Sequence, residues 1–488
     1  MAASKAYSRR YVSGKESMAY VLFDSAKSFH INEFGTLFVT DVLKIDLRWN
    51  SIISLVNGIW DVVNDSFLGV LVDKTKTRWG KFKPYLFLYA TLGTVFLSLF
   101  WMMPLFFDKN PTNVPKAVFW LLLNMLLEVF GTLRGFSETG LISCISPNPD
   151  DRVRLYTVAE VVSSIWENIP GVLMAVLVDL AAHGIGKLSM DSVYTSMGVF
   201  TVATGGALSL LFCFYAKERI TQSREKFNYR EGLRVILHNK PLLILLISDF
   251  FGGFSSAETW ERYYYRDVLG ALTLRDLVRL PGGPLSFLSY TYLSKARGRY
   301  PIKWLWIFGQ HAKDVCSLVI FAVGSLGGIY GKVVPMVAML MVRNLIYMGS
   351  LSIVKIIPRE IMLDALEYAE WNTGMRAEGT IQATKGMVAK VVGNIVRAMT
   401  TMILQAFGYN MNAAFGKQSQ RTKYALFGMA IGIPGAAGML SMIPKLFYDL
   451  TGEKRQRMYE ELAQLRKIRQ AQYDVIAGDT AEAERSAS

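Results

Sequence analysis

Charge is what this chain has little of. Asp, Glu, Lys and Arg make up 19% of its 488 residues, where a soluble chain carries roughly a quarter. Hydrophobic residues make up 52%, and the mean hydropathy is +0.27. That balance excludes an ordinary soluble domain. Cysteine is scarce as well: Cys144, Cys213 and Cys316 lie far apart, at no metal-ligand spacing, each in an apolar run. They read as inert thiols of a membrane core. No nucleotide loop, metal-ligand cluster or nucleophile–base pair occurs at a recognisable spacing, so nothing supports an enzyme or a cofactor. The start, MAASKAYSRRYVSGKES, lacks an apolar core followed by a small-residue cleavage site. No signal peptide is expected, and the first span is expected to direct insertion.

What is present is a series of long apolar runs. A span needs about 20 mostly apolar residues. Twelve candidates meet or approach that length: 17–42, 48–72, 84–107, 115–146, 153–180, 192–216, 240–268, 280–294, 302–328, 333–357, 379–409 and 422–447. The first is interrupted by Asp24, Lys27, His30 and Glu33, and the eighth is broken at its start by Pro281, Gly282, Gly283 and Pro284. The formal net charge is +14, but the basic residues concentrate at the N-terminus and in the second, fourth, sixth, eighth and twelfth connections. This is a positive-inside pattern and not a nucleic-acid surface. It predicts a multi-pass protein of the cytoplasmic (plasma) membrane with both termini cytoplasmic.

One stretch carries the chemistry. In Ile59 to Tyr85, IWDVVNDSFLGVLVDKTKTRWGKFKPY, Asp61 and Asp65 sit one helical turn apart with Asn64 beside them, and a basic loop follows. Carboxylates in a membrane helix are costly, and those found there mark ion or substrate pathways. Two neighbouring acids cannot both ionise cheaply without a cation, so proton or Na+ occupancy becomes the free-energy lever. In the eleventh span Gln382, Gly386, Lys390, Asn394 and Arg397 recur every three to four residues and form one polar stripe. A lysine there needs an anionic partner or water.

The longest polar interior stretch, AKERITQSREKFNYREGLRVILHNK (216–240), divides the chain into two sets of six. LVDKTKTRWGKFKPYLF after the second span is weakly echoed by LSKARGRYPIKWLWIF after the eighth. Such an echo suggests an internal repeat. The run from Asp61 to Tyr85 resembles the signature of the glycoside–pentoside–hexuronide cation symporters, the melibiose permease group within the major facilitators. MLDALEYAEWNTGMRAEGTIQ (362–382) is similar to that family's loop between helices ten and eleven, and YDLTGEKRQRMYEELAQLR (448–466) to the polar helix after helix twelve.

The resemblance implies an all-α membrane protein of the major facilitator fold, with 12 transmembrane helices in two six-helix bundles. The expected parts are an N-terminal bundle (1–216), a central cytoplasmic loop (217–239), a C-terminal bundle (240–447) and a cytoplasmic amphipathic tail (448–488). It also implies Asp61 and Asp65, with Asn64, as ligands of the coupling cation, and Lys390 as their charge partner.

Against the family's sugar site the sequence departs. Ser137 stands where melibiose permease has its sugar-binding aspartate, Leu141 at its sugar-contacting tryptophan, and Val162 near its sugar-binding arginine. Charges persist nearby: Arg134 and Glu138 in the fourth span, Glu160 and Glu167 in the fifth, Asp24 in the first, Lys385 and Asn394 in the eleventh. These are the candidate substrate-binding residues, with an Arg134–Glu138 intrahelical pair as the bland reading. Asp73, Arg78, Glu370 and Arg376 are expected to latch the cytoplasmic gate. In the tail, Met458, Leu462, Leu465 and Ile468 share one face and predict an amphipathic helix against the inner membrane surface.

The leading reading is a secondary active symporter, working as a monomer with a small-molecule solute, a coupling cation and the lipid bilayer as partners. H+ or Na+ would drive a sugar, glycoside or sugar-acid solute, with Ser137 in place of a carboxylate tilting toward H+. Two alternatives stay open. One is a transporter or exporter of a non-sugar amphiphilic or drug-like solute on the same fold. The other is a non-transporting receptor or scaffold, which would have no need of Asp61, Asp65 and Lys390 in the bilayer.

Overall fold

The computed structural model describes residues 11–75, 77–146, 149–166, 169–219, 236–255, 258–373 and 378–465. Among them there is no strand, and helical rods succeed one another where the apolar runs predict spans. The first six are α1 (Gly14–Ser28, resuming over 32–42), α2 (Leu47–Lys74), α3 (Lys83–Leu105), α4 (Val114–Ile145), α5 (Pro149–Trp166 and Ile169–Ala182) and α6 (Met190–Tyr215). The next six are α7 (Lys240–Ser255 and Glu258–Asp267), α8 (Thr273–Arg279 and Gly282–Arg299), α9 (Ile302–Leu326), α10 (Val333–Gly349 and Leu351–Thr373, bent by 47°), α11 (Glu378–Ala406) and α12 (Gln420–Leu446). A tail helix, α13, covers 452–465.

By length and composition alone, 6 of the described helices can cross a membrane, or 7 with the bent pair as one. The remaining rods fall short for visible reasons. α1 and α8 are broken, α5 is described in two pieces on either side of residues 167–168, α2 carries Asp61 and Asp65, and α9 carries Gln310, His311, Lys313 and Asp314 at its middle. Such breaks and charges are tolerated where protein or a cavity, not lipid, surrounds them.

In the N-terminal half α1 packs on α5 and α6, and α2 on α4; in the C-terminal half α12 packs on α7 and α9. Across the halves, α2 lies along α11. The chain starts α1 and ends α12 on one face, termed the terminal face; the opposite end is the far face. Near the terminal face each half has its own core. One is built on Phe23, Leu86 and Phe212, the other on Leu245, Ile361 and Tyr448. Toward the far face a single core runs through both halves, from Phe38, Trp101 and Tyr194 to Trp260, Tyr263 and Phe427. The halves are therefore joined at the far face.

The tail departs from expectation. Met458 and Leu462 are 0% and 1% exposed and belong to the C-terminal core with Tyr448 and Leu450. Two of the four residues of the predicted apolar face, Met458 and Leu462, are thus docked on the bundle, while Leu465 is exposed; Ile468 lies outside the described residues. Arg455 fixes the docking by bonding Asp364 and Glu360 of α10, each at 2.8 Å.

Between α2 and α3 the loop is tied down by Glu218. Its carboxylate accepts the N–H groups of Lys81 (2.7 Å), Phe82 (2.9 Å) and Lys83 (3.1 Å), a backbone nest for an anion. Gly80 sits against that carboxylate with φ +109°, a conformation only glycine adopts without strain.

Candidate functional site

Helix α2 has two faces. Ile52, Leu55, Ile59, Val63 and Phe67 are exposed, while Asn57, Asp61, Asn64 and Leu68 are buried. The polar stripe thus turns inward, toward α4 and α11, as a membrane environment demands. Close approach to α11 is possible because Gly58 faces Asn394, whose Nδ2 would lie 3.1 Å from any Cβ there.

At the centre of this seam Lys390 of α11 donates to Asp61 Oδ1 at 3.0 Å and to Asp65 Oδ2. Thr132 of α4 donates to the other oxygen of Asp65 at 2.8 Å, and Asn64 donates to Thr132 at 3.4 Å. Asp61 is 3% exposed. One turn back, Asn57 is buried with neither amide atom bonded. On the flank Arg397 lies 3.7 Å from Glu128 and donates to Asn394 at 2.5 Å. Two carboxylates thus share one ammonium and one hydroxyl. The cluster is one positive charge short of neutrality, and its oxygens converge.

A second polar cluster joins α1, α4 and α5. Lys27 bridges Asp24 at 2.9 Å and Glu138 at 2.8 Å, and Asp24 accepts from Ser163 at 2.7 Å. Arg134 does not pair with Glu138; it donates to the Tyr89 hydroxyl at 3.1 Å and lies over the Tyr89 and Phe23 rings. The intrahelical pair loses because Lys27 claims the carboxylate from across the bundle. Ser137 is fully buried with its hydroxyl unbonded, and Leu141 is buried. Glu160 is exposed and makes no ion pair among the described residues. Lys385 reaches Asp249 of α7 at 3.5 Å.

Of the four expected latch residues, the described residues include the side chains of Arg78 and Glu370 only. Arg78 is exposed in its loop and Glu370 is buried on α10, while the backbone alone of Asp73 is described. Arg376 and Glu167 lie outside the described residues.

A further set of bonds joins the halves at the far face, and sequence reasoning missed these. Arg262 of α7, 2% exposed, pairs with Glu33 of α1 at 2.8 Å, and Arg266 pairs with Asp41. Tyr263 and Thr40 share a hydroxyl bond of 3.1 Å, and Ser51 of α2 donates to Thr401 of α11 at 2.7 Å. Asp179 of α5 accepts the backbone N–H groups of Leu272 and Thr273, both at 2.9 Å, at the start of α8. The available signal was the segment ETWERYYYRD (258–267), far too charged for the end of a lipid-facing span.

Residues 13–452 match the family described as MFS/sugar transport protein. Over 483 residues the chain is 25% identical to the isoprimeverose transporter of Lactiplantibacillus pentosus, covering 96% of this chain and 95% of that one. It is 24% identical over 481 residues to the lactose permease of Lactobacillus helveticus, covering 92% of this chain and 72% of that one. Among solved structures, a bacterial homolog of the human lysosomal transporter Spinster superposes with a TM-score of 0.55 at 14% identity, covering 89% of this chain and 95% of that one. The nucleoside transporter NupG gives 0.50 at 15%, covering 89% and 99%. The structural likenesses establish the major facilitator fold alone. The match to nearly the whole chain does more: this protein belongs to the MFS/sugar transport protein family and is a membrane transporter, not an enzyme.

Proposed function

We propose that the chain is a cation-coupled symporter of a sugar, glycoside or sugar-acid solute, working in the plasma membrane with its terminal face toward the cytoplasm. The observation that carries this reading is Lys390, held between Asp61 and Asp65 across the two halves. One ammonium cannot neutralise two carboxylates. An incoming H+ or Na+ supplies the missing positive charge and weakens the acids' hold on the lysine, loosening the α2–α11 seam. The far face then opens, and the terminal face closes through Asp73 and Arg78 on one half and Glu370 and Arg376 on the other.

Solute would bind between the halves against the Asp24–Lys27–Glu138 cluster and Arg134, whose charges and rings suit hydroxyl groups. The relatives named for isoprimeverose and lactose support a glycoside. The altered Ser137, Leu141 and Val162 positions point away from melibiose itself.

Proteoliposome uptake under imposed Na+ or H+ gradients tests the reading. Asp61→Asn and Asp65→Asn should abolish accumulation while the protein still inserts and folds. Normal concentrative uptake by both variants would overturn it.

A further inference from the structure

In the C-terminal half, α7, α8, α9, α10 and α12 line a partly open cavity of about 130 Å³ that the coupling seam does not use. Four cations line it: Arg275 and Arg279, one turn apart at the start of α8, Lys313 of α9 and Arg343 of α10. They face three carboxylates, Glu258, Glu261 and Asp314.

Every carboxylate is committed. Glu258 accepts from Arg275 at 2.5 Å and from Arg279 at 3.4 Å, and Glu261 accepts from Arg343 at 2.6 Å. Asp314 is held by Ser255 at 2.8 Å and by His311 at 2.9 Å. Behind His311 stands yet another cation, Lys445, 2.7 Å from its Nε2. Lys313 is left over. It makes no ion pair among the described residues, and its ammonium lies 5.0 Å from the centre of the Tyr347 ring. Asp276, beside Arg275, does not line the cavity and makes no ion pair among the described residues.

Four cations against three carboxylates leave the lining with one positive charge in excess, which is costly inside a bundle and which natural sites relieve with an anion. Ser317, Asn344 and Tyr347 add hydrogen-bonding groups to the wall. At about 130 Å³ the space is large enough for a small anionic head group. We propose that this cavity is an anion site centred on Lys313, taking the carboxylate or sulfonate of an acidic solute or a small inorganic anion such as chloride. The solute arm rests on the transport reading above; the anion chemistry does not.

The test uses the purified full-length protein, with glucuronate, sodium chloride and uncharged glucose as probes. Calorimetric binding and the thermal unfolding midpoint are measured for the wild type and for Lys313→Gln, Lys313→Met and Lys313→Arg. Glucuronate or chloride should bind the wild type and Lys313→Arg and raise their midpoints. Affinity should fall at least tenfold in Lys313→Gln and Lys313→Met, which should themselves unfold no lower than the wild type because an unmatched charge is gone. Glucuronate binding without chloride binding assigns the site to a solute group; chloride binding assigns it to an inorganic ion; both support the site. Binding of neither anion, or unchanged affinity in the Gln and Met variants, overturns it. No gradient is involved, so an Asp61→Asn protein that binds anions but fails to accumulate solute separates this inference from the coupling reading.

Discussion

Lys390 can neutralise one of the two carboxylates it touches, and that arithmetic gives a signed prediction. Two unit charges at about 4 Å attract by about 4 kcal/mol at an effective dielectric of 20. The Lys390 side chain is 41% exposed, and screening reduces its worth well below that figure. If the lysine and the coupling cation compete for the same oxygens, Lys390→Gln should tighten cation binding about tenfold, equivalent to about 1.4 kcal/mol. It should also slow the return of the empty carrier, which needs the ammonium to cover the acids. Solute exchange should therefore persist while net accumulation drops at least tenfold. Calorimetric cation titration and counterflow assays read the two effects separately. Unchanged affinity with normal accumulation would remove Lys390 from the coupling path. These three residues were legible in the sequence because charge stands out in an apolar run. Thr132, which holds the second oxygen of Asp65, was not, since a threonine in a membrane helix usually bonds its own backbone.

At the scale of elements, the tail helix shows why span prediction stopped short. The apolar signal in α10 fades near residue 357, yet the helix continues to Thr373. Its extension carries Glu360 and Asp364, which are paired to α13 and have no need of an apolar face. Tyr459 of α13 donates to Asp364 at 2.7 Å. Burial, and then the neighbouring carboxylate, push its hydroxyl up to about 12, so it stays a donor at neutral pH. Removing the buried Leu462 side chain should cost about 2–5 kcal/mol, the range for leucine-to-alanine changes in a packed core. Leu462→Ala and Asp364→Asn should therefore lower the thermal midpoint in detergent by several degrees. Arg457→Ala, at an exposed pair with Glu461, should leave it in place. Equal midpoints for all three would mean that α13 does not dock. The break in α8 was legible from Pro281 and Pro284. The docking of α13 was not, because an amphipathic face does not say whether protein or lipid will cover it.

For the whole molecule, the distribution of cores matters more than any single bond. Two separate cores near the terminal face and one shared core toward the far face describe a carrier shut at the far face. The polar stretch 216–240 and the weak echo between the loops after the second and eighth spans pointed to two halves, but no local pattern in a sequence reports which end of the seam is closed. That depends on bonds between residues far apart in sequence, such as Thr40 with Tyr263, 223 positions apart. Transport requires those bonds to break once per cycle. The Ser51 and Thr401 hydroxyl oxygens lie 2.7 Å apart across the seam, so cysteines at both positions would bring two sulfurs within bridging range. Cys144 and Cys213 are buried and Cys316 half-buried, and each single variant controls for their reactivity. Oxidising the Ser51→Cys/Thr401→Cys protein should cut solute uptake into proteoliposomes to less than a tenth, and reduction should restore it. Cation binding to the oxidised protein in detergent should survive, because the bridge lies at the far face and leaves the Lys390 and Asp65 side chains at their 41% and 30% exposure. A bridged protein that transports at the reduced rate would show that the far face need not open, and alternating access through it would have to be abandoned.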